Sequence, residues 1–168
     1  MANDKLGRPS KERLAVLRNQ VSYLLWYGRI ETTVAKAKAV ASKAEKLLTL
    51  AINSYEDNVT VNKTVTENGK KVEKEVVNDG VKKLNARRKL MAFLYDFAEE
   101  RQEKESMANY KQRTDAINHP LVEKIFNVYA PKYAERAKEL GNFGGYTRVI
   151  KTSTRRGDAT QLAIVELV

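Results

Sequence analysis

The chain has 168 residues, 42% of them hydrophobic, which suits a single domain with a real core. Lys and Arg number 31 against 21 Asp and Glu, a formal charge of +10, and that excess favours a polyanionic partner because each neutralised phosphate releases condensed counterions. With no cysteine and a single histidine, His119, zinc and iron–sulfur ligation are nearly excluded and thiol chemistry is absent, no Ser has a His partner at a motif-like position, and no cofactor is expected.

Nucleic acid and an anionic membrane surface would both match the charge. No apolar run approaches the roughly 18 residues that span a bilayer. The basic residues do not gather on one amphipathic helix, and Met1 to Arg13 lacks the apolar stretch of a signal peptide. The expectation is a cytoplasmic protein with no membrane partner and no small-molecule substrate.

In chain order, a first helix is predicted from Ser10, as N-cap, to Gly28, as C-terminal stop. Leu14, Leu17, Val21, Leu24 and Leu25 follow its apolar spacing, while Lys11 and Arg18 share another face. Trp26, Tyr23 and Tyr27 at its end read as core or edge packing rather than a base-stacking platform. Residues 28–33 form a turn or short extended link. Thr32 or Thr33 then caps a second helix to about Asn53, dense in alanine and studded with Lys36, Lys38, Lys43 and Lys46.

Residues 59–77 read as an inserted β-hairpin of β-branched runs around Asn68-Gly69, both of which tolerate positive φ. A third helix is expected from Val81 through Phe97, fraying toward Glu105, with Leu84, Met91, Leu94 and Tyr95 on its apolar side. Asn118 or His119 caps a fourth, with Pro120 at its first position, and Pro131 should stop or kink it. Tyr146–Thr152 and Leu162–Val168 are strands of a terminal hairpin joined by Arg155-Arg156-Gly157-Asp158. The class is α+β: four or so helices packed on a small sheet that includes the C-terminal β-hairpin.

Charge is segregated along the chain. Residues 55–80 and 96–119 each hold six acids and four bases, while the remaining 118 residues hold 23 bases and 9 acids. Acidic segments should point away from a phosphate surface, so both are read as insertions projecting from one nucleic-acid-binding domain spanning 1–168: a β-hairpin at 55–80, and a charged helical extension or loop at 96–119.

Basic residues flank every junction: Lys5 and Arg8, Arg29, Arg87 and Arg88, Arg148, then Arg155 and Arg156; Lys11 and Arg18 on the first helix and Lys36, Lys38 and Lys43 on the second complete the candidate RNA-binding set. Arginine's planar fork donates two bonds to one phosphate. The link at 28–33 lacks the spacing of a helix-turn-helix, which disfavours the alternative of a DNA-binding, nucleoid-type protein. An RNA-modifying enzyme would need a pocket of titratable groups that this composition does not offer.

Several runs in register carry a family resemblance. Lys5-Leu6-Gly7-Arg8, Gly28-Arg29-Ile30-Glu31-Thr32-Thr33 with Ala35-Lys36-Ala37-Lys38, Asn85-Ala86-Arg87-Arg88, Gly144-Gly145-Tyr146-Thr147-Arg148-Val149-Ile150, Arg155-Arg156-Gly157-Asp158 and Ala163-Ile164-Val165-Glu166-Leu167 are similar to bacterial large-subunit ribosomal protein number seventeen. The resemblance covers roughly 5–54, 81–95 and 120–168. It implies a structural, non-enzymatic constituent of the large ribosomal subunit that supports assembly and translation. The implied partners are large-subunit rRNA and neighbouring ribosomal proteins near the peptide exit tunnel. It also adds Thr32 and Thr33 to the candidate rRNA contacts and suggests that Arg29 to Thr33 is a short strand. Ala2-Asn3-Asp4 departs from the family's basic opening, and 55–80 and 96–119 are longer than its norm.

Overall fold

The computed structural model describes residues 5–67, 70–115 and 117–168. Helix α1 (Ser10–Tyr27) leads into strand β1 (Arg29–Thr33) and helix α2 (Val34–Ile52). Strands β2 (Asn58–Glu67) and β3 (Lys70–Asp79) form the inserted hairpin, followed by α3 (Val81–Phe93) and α4 (Met107–Thr114). Helix α5 (Pro120–Lys124), a π-helical turn (Ile125–Tyr129) and α6 (Ala130–Leu140) run on into strands β4 (Thr147–Thr154) and β5 (Gln161–Leu167). The α+β expectation holds. One antiparallel sheet has the order β1-β5-β4, and β2 pairs with β3 in a separate two-stranded sheet.

Helix α2 is the spine. Ala37, Val40, Ala44, Leu48 and Ala51 lie on one stripe and are fully buried. Their three-and-four spacing keeps them on the same face, and the alanines let neighbours approach closely. Helices α1, α3 and α6, the π-helical turn and all three strands of the larger sheet pack against α2. Val21, Leu24 and Leu25 of α1, Leu90 of α3, Leu121 and Ile125, and Val165 of β5 complete the core.

Gly28 ends α1 in the left-handed conformation, φ 81°, and its N–H bonds Leu24 O at 2.8 Å. Ser10 opens α1 as its first helical residue rather than capping it. Pro9 takes the N-cap position, and no side-chain cap bond forms. The link 29–33 is a strand, as the resemblance implied, because its full length pairs with β5 from Arg29↔Glu166 to Thr33↔Leu162.

Two expectations from periodicity are corrected. Helix α3 ends at Phe93, not Phe97: Leu94 turns extended and stays buried, and the Tyr95 N–H donates to Ser22 Oγ at 2.9 Å. The chain leaves the helix to seat Leu94 and to bond α1. Pro131 does not stop its helix. The preceding turn widens, so that the Ala130 N–H reaches back five residues to Ile125 O, and the ring is accommodated with the helix continuing to Leu140. The expected turn at Asn68-Gly69 lies outside the described residues.

Leu48→Ala is expected to cost about 2–5 kcal/mol in chemical denaturation, the range for emptying a packed site. Val59→Ala, at a position 49% exposed, should stay within roughly 0.5 kcal/mol.

Candidate nucleic-acid interface

The N-terminal arm turns back at Leu6 and Gly7, both at positive φ, with the Arg8 N–H on Lys5 O at 3.0 Å. Lys5, Arg8 and Lys11 are exposed. Arg8 lies 3.6 Å from Glu12, an exposed pair of small energetic worth. On β1, Ile30 and Thr32 turn toward the core and Arg29 faces out. The register sets Arg29, Glu166 and Arg148 in one row across the sheet, with Arg148 and Glu166 at 3.7 Å. Two arginines thus flank one carboxylate on the outer face.

Thr33 stands at the N-cap of α2 with no side-chain cap bond, which leaves first-turn N–H groups available to an anion. Lys36 and Lys38 follow within a turn, Lys38 exposed and Lys36 half-buried. None of the described ion pairs involves Lys36, Lys38, Arg29, Arg88 or Arg156. Arg155 pairs locally with Asp158 at 2.7 Å, holding the turn between β4 and β5.

Other predicted contacts are turned to internal work. Thr32 is 8% exposed, and its hydroxyl accepts from Gln20 Nε2 at 3.0 Å. Arg18 donates to Ala92 O and lies over the rings of Phe93 and Tyr95. The Lys43 amine sits 4.5 Å from the centroid of the same Phe93 ring, so two cations clamp one aromatic between α1 and α2. Arg87 forms ion pairs with both Asp79 and Glu123 and lies over the Phe126 ring. Burial opposes ionisation of Asp79, but Arg87 and Lys83 more than offset this and hold its carboxyl below the usual range. The structure therefore separates the predicted pair: Arg87 braces the fold, while Arg88 is exposed.

Some interactions have no local sequence signal. Glu45 of α2 accepts from both the N–H and the hydroxyl of Thr147, at 2.8 and 2.9 Å, and so fixes β4 on the spine. Lys124 donates to Trp26 O at 2.6 Å. The segment 96–119 clips itself: Arg113 pairs with Glu99 and Glu105, and the Tyr110 hydroxyl donates to Glu99 O. Its Phe97 stacks on Trp26 at 5.7 Å, which gives Trp26 an edge-packing role, while Tyr23 and Tyr27 beside it remain exposed. No cluster of potential metal ligands occurs among the described residues, and no described helix is long and apolar enough to cross a membrane.

A family model for ribosomal protein L17 matches residues 16–168. The chain belongs to the ribosomal protein L17 family. It is 39% identical to the large ribosomal subunit protein bL17 of Lachnospira eligens, with 98% of this chain and 97% of that one covered. The bL17 proteins of Thermoanaerobacter sp. and Clostridium tetani are 36% and 37% identical, covering 100% of both chains in the first case and 98% and 96% in the second. The matched L17 region includes β1, the α2 spine and the complete three-stranded sheet.

Arg87→Ala should destabilise the protein by about 1–3 kcal/mol, because two half-buried carboxylates lose their partner, whereas Arg88→Ala should change the melting temperature little. The low Asp79 pKa also sets a pH dependence. Its stabilisation is complete above the unfolded value near 3.9 and is lost as pH falls through the lower folded value. Denaturation curves between pH 5 and 2 should therefore be less pH-dependent in Asp79→Asn than in the wild type.

Proposed function

We propose that this chain is a structural constituent of the large ribosomal subunit that binds large-subunit rRNA through the basic face of its body. The observation that carries this reading is a near-full-length family match in a chain whose exposed cations surround the α2 N-terminus and the outer face of the β1-β5-β4 sheet. Its relatives are named as large ribosomal subunit proteins. Lys5, Arg8, Lys11, Arg29, Thr33, Lys36, Lys38, Arg88, Arg148 and Arg156 are the phosphate-facing groups. Such contacts position a protein on folded RNA whose shape is read, rather than specifying bases. Arg18, Lys43 and Arg87 support this surface from within.

The role is architectural rather than catalytic. The chain acts as one rRNA-binding domain over 1–168, from which 55–80 and 96–119 project, and neighbouring ribosomal proteins near the peptide exit tunnel are its further partners. Binding by phosphate neutralisation supports assembly in the cytoplasm and is sensitive to salt.

A tagged copy in a cell lysate should co-sediment stoichiometrically with large subunits and intact ribosomes, but not with free small subunits. Migration at the top of the gradient, or with DNA after RNase treatment, would overturn the reading. The triple variant Arg29→Gln, Lys36→Gln, Lys38→Gln should keep its melting temperature. For binding to large-subunit rRNA, its slope of log affinity against log salt should be shallower, by roughly 0.7–0.9 for each phosphate that is no longer neutralised.

A further inference from the structure

The C-terminal end of α1 carries three aromatic residues, Tyr23, Trp26 and Tyr27. Positions 23 and 27 are one helical turn apart, so their rings stack, with centroids 5.7 Å apart and planes 16° apart. Phe97, from beyond α3, stacks on Trp26 and meets Tyr23 edge-on at 5.1 Å. Trp26 and Phe97 pack against the core, but Tyr23 and Tyr27 are 43% and 58% exposed. The segment behind Phe97 is tied down. Arg113 pairs with Glu99 and Glu105, and the Tyr110 hydroxyl donates to Glu99 O at 2.9 Å. Large rings that are held in place yet left open to water mark a surface that a partner covers.

An open cleft of about 320 Å³ lies at this junction, lined by Trp26, Tyr27, Glu99, Glu100 and Lys124. The one cation among these lining residues is already engaged. Lys124 donates to Trp26 O at 2.6 Å and lies over the rings of Trp26 and Tyr129, 5.2 and 5.7 Å from their centroids. Glu99 is held by Arg113. Glu100 is exposed, and none of the described ion pairs involves it. The surrounding segment, 96–119, holds six acids and four bases. The uncommitted charge beside the cleft is therefore negative, and it lies next to ring faces that are themselves electron-rich. Both features attract a cation: the ring through its quadrupole, the carboxylate through a charged hydrogen bond. The same carboxylates repel phosphate, which disfavours a nucleotide stacked on Tyr27. Lys124 over Trp26 is this kind of recognition already made within the chain.

We propose that the cleft at the end of α1 is a docking site for an arginine- or lysine-bearing segment of a neighbouring protein, with the cation resting on the Tyr27 ring and Glu100 as its counter-charge. Arginine is the better fit, because its flat guanidinium can stack on the ring while its edge donates to the carboxylate. The site is opposite in sign to the phosphate-facing groups of the body, so it serves a different partner. That the neighbour is a ribosomal protein rests on the reading above; the chemistry of the cleft does not.

Trp26 is the chain's one tryptophan, so its emission reports on the cleft directly. The purified full-length chain is titrated with a capped peptide of two arginines spaced by glycine, and with the same peptide carrying glutamine in place of arginine. The arginine peptide should change the Trp26 emission saturably, and the glutamine peptide should not. Tyr27→Ala and Glu100→Gln, both at exposed positions, should each weaken binding about two- to fivefold, the loss of one exposed cation contact, with the melting temperature unchanged. No saturable change, an equal response to the glutamine peptide, or an affinity untouched by both substitutions would overturn the site. In assembled large subunits, a photoreactive benzophenone side chain in place of Tyr27 should cross-link to protein, at a segment containing Arg or Lys. A cross-link to rRNA would overturn the docking site in favour of base stacking. Failure of the wild-type chain to enter large subunits would overturn the ribosomal reading and leave the peptide result standing.

Discussion

Ala37, Ala44 and Ala51 recur at seven-residue intervals on α2, and each is fully buried. A larger side chain at any of them would hold a neighbour away. Because these sites are small, three helices, the π-helical turn and the three-stranded sheet all reach the same helix. Burial of Val40, Leu47 and Leu48 between the alanines supplies the apolar contact that holds them. The candidate RNA surface depends on that arrangement. Arg29 and Arg148 flank Glu166 only because β5 inserts between β1 and β4 over α2.

Charge serves two purposes in this molecule, and burial distinguishes them. Arg87, Arg18 and Lys43 lie half-buried against rings and carboxylates or carbonyls, where their cations bridge elements distant in sequence. Arg29, Lys38, Arg88 and Arg156 remain exposed. An exposed cation contributes little to folding and remains available to a polyanion. A chain of this charge thus uses some of its excess to assemble itself and presents the rest. Acids at the base of the inserted hairpin also serve the fold: Asp57 accepts from N–H groups of α3, and Asp79 pairs with Arg87 and Lys83.

Helix ends show where local sequence is sufficient. The stop at Gly28 was legible because left-handed backbone strongly favours glycine. The hairpin at 58–79 was legible because β-branched runs in alternation have few other solutions. The end of α3 was not. Apolar periodicity continues past Phe93, but the chain leaves the helix so that Leu94 is buried and Tyr95 meets Ser22 of α1. Pro131 does not stop the helix because a π-helical turn before it absorbs the ring locally and α6 follows directly, with Ala130, Tyr133, Ala134 and Ala137 buried.

Composition, charge segregation and in-register motifs by themselves determined the class and the family and pointed to a polyanionic partner. These quantities depend on which residues are present and in what order, not on where they meet. The allocation of individual cations was decided only by tertiary structure. Arg87 and Arg88 are adjacent and chemically identical in sequence, yet one is enclosed by Asp79, Glu123 and Phe126 while the other faces solvent. On a helix, consecutive residues point about 100° apart, so the packing of α3 against its neighbours alone selects which arginine braces the fold and which is left to bind. Thr32 and Thr33 are divided in the same way, because successive residues of a strand face opposite sides.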